Sequence, residues 1–399
     1  MAEPKIRFRE YEGEYNLDKI GNLTDSYSGG TPSAGCSEYY GGKIPFIRSG
    51  EIHNDKTELF LTEIGYSASS AKMVEKGAIL YAMYGATSGE VDVCKIKGAI
   101  NQAILAINPQ NDIDSYFLIY LLQNKKKSII STFLQGGQGN LSGSMIKNIT
   151  IEYPDIIEQQ QIAAYFKSLD VLIQSTTKKI ASLKQLKSAS LISMFPQAGE
   201  TKPRVRFKGF EGDWENINLS EVFVERHEIS TITESLPQLS FTIAEGVIKP
   251  EDRKSNKRDF LIKDIDTKKY LVTYRDDIIY NPANVIYGAI HKNSLCNGVV
   301  SPIYKIFYTD QNADFMECIV RKPSFIQEMT IFMEGTVKKL KTLKPESFLK
   351  MSAYISPSLE EQKKIGDFFH SLNIQITLET QRLDKLKQIK SACLDKMFV

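Results

Sequence analysis

No stretch of this 399-residue chain approaches twenty consecutive apolar residues, so no membrane span is expected. The N-terminus is polar and lacks the apolar core of a secretory leader. Cysteine is scarce: Cys36, Cys94, Cys296, Cys318 and Cys393 are scattered, with no close pair. That scatter argues for reduced thiols in a cytoplasmic setting and against a zinc module. Net charge is also nearly absent, with 50 Lys and Arg against 48 Asp and Glu. A nucleic-acid binder can hold such a balance if its basic residues cluster on one face.

Catalytic signatures are missing as well. There is no phosphate loop ending in Gly-Lys-Ser/Thr, no His-Glu-x-x-His and no Gly-x-Ser-x-Gly. The four histidines, His53, His227, His291 and His370, are remote from one another in sequence and read as surface or core residues. Gly137, Gln138 and Gly139 resemble a dinucleotide loop only loosely, without its full spacing or its preceding strand. Residues 281–284 (NPAN) begin like the Asn-Pro-Pro-aromatic loop of amino-methyltransferases, but the second proline and the aromatic are absent. No metal site and no catalytic residue is expected.

What is present is a duplication. Pro154 precedes Asp155 and Glu158, spaced like a capping box at a helix start. Ile162, Phe166, Leu169, Ile173, Thr176, Ile180 and Leu183 follow in alternating steps of four and three, the rhythm of a coiled-coil seam. The pattern runs on to Phe195, a helix of roughly 60 Å at about 1.5 Å per residue. It returns at the C-terminus, where Pro357 precedes Ser358 and Glu361. Ile365, Phe369, Leu372, Ile376, Leu383 and Leu386 repeat the seam, with Glu379 interrupting it where Thr176 interrupts the first. The letters agree too: LKQLKSASLISMF ends at Phe195 and LDKLKQIKSACLDKMF at Phe398. Residues 4–15 (PKIRFREYEGEY) and 203–214 (PRVRFKGFEGDW) mark the start of each half, joined by a polar linker over 197–202.

Between each head and its helix lies a mixed α/β stretch. In the first, residues 28–32 (SGGTP) and 40–42 (YGG) are turn clusters, and 45–47, 78–82, 103–107 and 149–153 are β-prone. Residues 116–130 look helical, and 136–140 form a glycine-rich loop. In the second, strands are expected at 238–243, 277–280 and 300–308. Residues 249–269 carry a basic excess, and 336–344 hold four lysines. Matching scaffolds around unlike interiors are what a duplicated frame carrying two different recognition heads would look like.

On these marks the chain resembles the specificity subunit of a type I restriction-modification enzyme. The resemblance rests on the repeated heads, the paired helices ending in Met-Phe, Gly30-Thr31-Pro32, Gln138 through Ser142, and Asp277 through Asn281 with Gly298 to Pro302. One departure is Tyr15, which stands where the second head has Trp214. The resemblance implies an α+β fold of two mixed α/β target-recognition domains separated by two long antiparallel coiled-coil helices, a pseudo-twofold repeat. The expected boundaries are 1–153 and 203–356 for the domains, and 154–202 and 357–399 for the helices with the linker. It implies a non-catalytic subunit that binds double-stranded DNA, two modification subunits and restriction subunits. S-adenosylmethionine, ATP and Mg would then belong to the partner subunits.

Phosphates take cations, hydroxyls and backbone amides, and base edges take amide and guanidinium forks. Candidate DNA contacts in the first domain are therefore Thr31, Arg48, Ser49, Tyr84, Gln138, Asn140 and Ser142, with glycines letting the backbone come close to DNA. In the second they are Arg253, Lys254, Lys257, Arg258, Tyr280, Asn281, Asn284, Lys338, Lys339 and Lys341. The seam residues Ile162, Phe166, Leu169, Ile173, Ile180, Leu183, Ile365, Phe369, Leu372, Ile376, Leu383 and Leu386 are the expected subunit-docking set. Arg7 and Arg206 are expected to brace the scaffold. The rival reading is a tandem adaptor with no nucleic acid, which explains the duplication but not two unlike heads.

Overall fold

A computed structural model describes residues 3–134, 139–253, 268–335 and 341–399. The chain forms two compact units: Met1–Thr177 with Gln381–Val399, and Lys178–Thr380. The long helices run over Ile156–Ser193 and Leu359–Met397, as the heptad pattern requires. Each unit holds a segment of both helices, and within each unit the two segments run antiparallel. In the first, Tyr165 meets Cys393 at 3.4 Å and Asp170 takes the Lys390 ammonium. In the second, Lys179 pairs with Glu379 and Lys187 donates to Asn373 at 2.7 Å. Glu379 thus interrupts the apolar seam as the partner of a cation.

The first unit contains a four-stranded antiparallel sheet in the order Thr24–Ser28, Ile104–Pro109, Ile79–Ala82, Val91–Val93. The second unit has the same order in Val224–Glu225, Lys305–Tyr308, Ile278–Tyr280, Ile290–Lys292. A second sheet in the first unit pairs Tyr40–Ile47 in parallel with Gly98–Ile100. The second unit repeats that feature as a parallel bridge from Gln238 to Val299. The topology is duplicated where the letters are not, because burial on a pleated sheet needs only apolar residues in the right period. Ile79, Ile107, Ile278 and Phe307 meet it with different side chains, all fully buried.

Three local expectations change. Residues 40–42 are not a turn. They begin the strand Tyr40–Ile47, which bulges between Tyr40 and Ile44 where Gly41 takes a φ of 80°. Residues 300–308 are two strands, Gly298–Val300 and Lys305–Tyr308, split by the turn that Pro302 allows. The second capping box forms only in half. Ser358 accepts the Glu361 amide at 3.3 Å, but the Glu361 carboxylate turns away to Arg206.

That turn is the frame of the fold, and it occurs twice. Arg7 holds the buried Glu158 through Nε at 2.9 Å and Nη2 at 2.8 Å, and also donates to the Gly13 carbonyl. Arg206 holds the buried Glu361 in the same way and donates to the Gly212 carbonyl. The Tyr15 hydroxyl donates to Glu158 at 3.3 Å, and Trp214 Nε1 donates to Glu361 at 3.2 Å. The one departure between the heads therefore keeps the same donor function. The neighbouring Gln159 and Gln362 are fully buried. Their amide oxygens accept the backbone N–H of Asp114 and Asn312, the caps of helices Ser115–Phe133 and Ala313–Val320. Each Glu-Gln pair thus ties a long helix to its head and to its globule.

The helix ends close the units in parallel ways. Phe195 packs against Trp214, Phe315 and Phe369, and Phe398 against Phe117 and Phe166. The Val205 amide donates to Ser193 at 2.8 Å, as the Ile6 amide does to Lys396 at 3.0 Å. Burying one such ring contributes about 1.5–3 kcal/mol, so these aromatic clusters are substantial anchors.

Candidate nucleic-acid interface

In the first unit, strand register sends four loops to one edge. Ser28 lies opposite Leu105, Ala82 opposite Ile104, and Ile47 beside Ile100. The segments leaving these strands, at 29–32, 48–49, 83–88 and 101–103, therefore emerge together. Thr31 donates its hydroxyl to Gln102 at 2.5 Å. Met83 donates its amide to Ala103, and Leu141 donates to Met83 at 3.0 Å. Tyr84 and Asn140 form a bridge. Thr31, Arg48, Ser49, Tyr84 and Asn140 thus share an edge although they span more than a hundred residues. Gln102 joins them without having been expected. Its signal was a polar Asn-Gln pair between two β-prone runs.

Several side chains there have structural employment. Arg48 forks onto Glu51 at 3.0 Å and reaches Glu58 at 2.7 Å. Burial would push the Glu51 carboxyl up, but the Arg48 guanidinium and the amides of Glu58 and Arg48 outweigh it and hold it at about 2. This clamp contributes fully above pH 4.5, the ordinary value, and is lost as pH falls toward about 2. We expect the Glu51 carboxyl carbon to titrate in that low range by NMR, and a midpoint near 4 would refute the clamp. Ser142 caps the helix Gly143–Lys147 by accepting the Met145 amide at 3.3 Å, so its hydroxyl serves the fold. The glycines of 28–32 serve packing rather than DNA approach: a Cβ on Gly29 would lie 1.8 Å from the Ile100 carbonyl oxygen.

In the second unit the equivalent edge carries residues 281–289 after Ile278–Tyr280 and 301–304 before Lys305–Tyr308. Leu343 donates its amide to Pro282 at 3.0 Å, as Leu141 does to Met83 in the first unit. The segment before helix Pro345–Leu349 therefore stands where the one before Gly143–Lys147 stands in the other unit. Lys341 adjoins this edge, and Arg253 lies beside Tyr304, where it opposes the rise that burial imposes on that phenol. Asn281 accepts the amides of Ala283 and Asn284 through Oδ1 and shapes the turn. Asn284 opens the 3-10 turn Val285–Tyr287.

Tyr280 is a correction. It is fully buried and donates its hydroxyl to the Leu343 carbonyl at 3.0 Å, so it belongs to the core and touches no DNA. Its strand lies in the middle of the sheet, where both faces are covered. Gln138, Lys254, Lys257, Arg258, Lys338 and Lys339 lie outside the described residues.

The seam also divides. Ile162, Phe166 and Leu169 are buried in the first unit's core, and Ile365, Phe369 and Leu372 in the second's, so no partner can reach them. Ile180 is buried, while Ile173, Leu183, Ile376, Leu383 and Leu386 are half-buried. The exposed large apolar residues of the helices are others: Ile157, Val171, Leu172 and Ile389 in the first unit, Leu186, Ile192, Leu359, Ile374 and Leu378 in the second. Among the described residues, no cluster of His, Cys, Asp or Glu could hold a metal ion, and no helix is long and apolar enough to cross a membrane.

Each unit thus combines segments of both long helices with a sheet of the same strand order, and the two differ in their edge loops. Residues 12–185 match the type I restriction modification DNA specificity domain. The MjaIX specificity subunit of Methanocaldococcus jannaschii is 30% identical over 181 residues, 43% of this chain and 42% of that protein. The MjaVIII specificity subunit of the same organism is 24% identical over 229 residues, 54% and 52% of the two. The chain thus spans about half the length of the curated relatives it matches. The crystal structure of a type I restriction-modification system S subunit from M. genitalium shares the fold. It has a TM-score of 0.65 at 16% identity, over 100% of this chain and 99% of that one.

Proposed function

We propose that this chain is the DNA sequence-specificity subunit of a type I restriction-modification complex, each unit reading one half of a bipartite target in double-stranded DNA. One observation carries the reading: two sheets of identical order present, at the same edge, loops of different chemistry. The first edge offers hydroxyls and amides from Thr31, Gln102 and Asn140. The second offers cations from Arg253, Lys305 and Lys341. Amides and hydroxyls suit base edges, and cations suit phosphates and guanine.

In this reading the chain recognises and does not catalyse. Two adenine-methylating modification subunits and the ATP-driven restriction subunits supply the chemistry, with S-adenosylmethionine, ATP and Mg held by them. The exposed apolar residues Val171, Leu172, Leu186, Ile192, Ile374 and Leu378 are the docking surface on the helices. The complex would work in the cytoplasm. The helices set the length of the unread spacer between half-sites.

The test is a head exchange. Replacing residues 20–150 with the counterpart from a relative of different specificity is expected to change one half of the methylated motif and leave the other intact. Motifs would be read by methylation-sensitive sequencing of cells carrying the system. A change in both halves would count against independent heads. An adaptor without nucleic acid would give no methylation dependent on this chain and no salt-sensitive DNA shift.

A further inference from the structure

At the second unit's edge, residues 281–289 hold a tyrosine outward. The loop is rigid. Asn281 accepts two amides through its side chain and donates its own amide to Ala289 at 2.9 Å. Tyr287 donates its amide to Asn284 at 3.0 Å, and Gly288 follows with a φ of 84°, a conformation that ends the turn. Val285 is fully buried and Ile286 packs on the core, which anchors the turn from beneath. On this fixed base the Tyr287 side chain is 68% exposed. Ile303, in the loop before the adjoining strand, is 59% exposed.

A large exposed aromatic on a hydrogen-bonded turn, with only two side-chain torsions to order, suits a binding contact. The surroundings indicate what it binds. Asn281 and Asn284 sit in the same loop, and Lys305 lies opposite Tyr280 in the neighbouring strand. Lys341 stands two residues before Leu343, whose amide donates to the Pro282 carbonyl at 3.0 Å. Amides and cations around an apolar group match a polyanion that also has apolar surface. Duplex DNA offers this in thymine methyl groups and deoxyribose along its grooves. The corresponding loop of the first unit, residues 83–90, carries Gly85, Ala86, Thr87 and Ser88 where this turn has Val285, Ile286, Tyr287 and Gly288, and no exposed ring at that place.

We propose that Tyr287 is a specificity-determining DNA contact of the second unit, its ring packing on apolar surface within that unit's half-site. This rests on the specificity-subunit reading. The first unit's counterpart turn carries no ring, and the tyrosine of that loop, Tyr84, is half-buried against the core, so the two half-sites depend on aromatic packing unequally.

The experiment uses the full chain assembled with its modification subunits, as wild type, Tyr287→Ala and Tyr287→Phe. Each is titrated with a duplex carrying the complete methylated motif and with one in which only the second half-site is replaced. Tyr287→Ala is expected to bind the complete site about tenfold more weakly and the altered duplex equally well. Tyr287→Phe should stay within about twofold of wild type on both, because the ring remains. Unchanged binding of Tyr287→Ala to the complete site overturns the proposal. So does an equal loss on both duplexes, or loss of the modification subunits on purification, since either places the ring outside half-site readout. Failure of wild type to distinguish the duplexes would instead overturn the specificity reading itself.

Discussion

Replacing Arg206 with alanine is expected to destabilise the second unit by about 3–5 kcal/mol, because it strands a buried carboxylate. The Glu361 side chain is 0% exposed and its Arg206 partner 14%. Trp214 and Ser356 still donate to Glu361 when the guanidinium is gone, but neither supplies the positive charge. Arg7→Ala should act similarly on the first unit, where Glu158 is 2% exposed and Tyr15 is the remaining donor. Urea unfolding followed by tryptophan fluorescence reports the second unit, since Trp214 is the chain's only tryptophan and lies at the pair. Combining Arg206→Ala with Glu361→Met removes the stranded charge and should recover much of the loss. A cost below about 1 kcal/mol for the single change would mean that solvent reaches Glu361 and that the clamp is not what frames the unit.

The second large effect concerns the spacer. Four residues inserted into each long helix, after Thr177 and after Thr380, should lengthen each by about 6 Å. One base pair rises about 3.4 Å, so the unread gap should grow by about two base pairs while both half-sites stay the same. The insertion belongs in both helices. Within the first unit Asp170 pairs with Lys390, and within the second Lys179 pairs with Glu379. An insertion into one helix alone would have to bulge or slip past these partners. Four residues exceed one turn by roughly 40°, a stutter that a heptad seam tolerates. The motif methylated by the mutant is the readout, and full activity with an unchanged spacer would show that the helices do not measure the gap.

Much of the frame was legible because it is periodic or repeated. The heptad steps from Ile162 and Ile365 located both long helices, and the shared letters of the two heads marked Arg7 and Arg206 as braces. These features depend on local spacing, which survives reading along a line. Glu158 and Glu361 show the limit. Their position three residues into a helix suggests a capping box, and only the packed fold shows that an arginine some 150 residues earlier takes the carboxylate. Tyr280 shows the same limit from the other side. An aromatic before Asn-Pro looks like a binding residue, yet its strand is central and its hydroxyl is used by Leu343.

By itself, then, the sequence determined the duplication, the two helices and the unlike character of the two interiors, since each is written in period or composition. Tertiary structure alone decided which loops share an edge, because strand register brings Thr31, Arg48, Tyr84 and Asn140 together across more than a hundred residues. It also decided which seam residues are available. Phe166 and Phe369 obey the heptad but are claimed by the rings of Phe398 and Phe195, whose approach no local pattern records. The reason is physical: periodicity specifies which face of an element is apolar, whereas the partner that covers that face is chosen by packing in three dimensions.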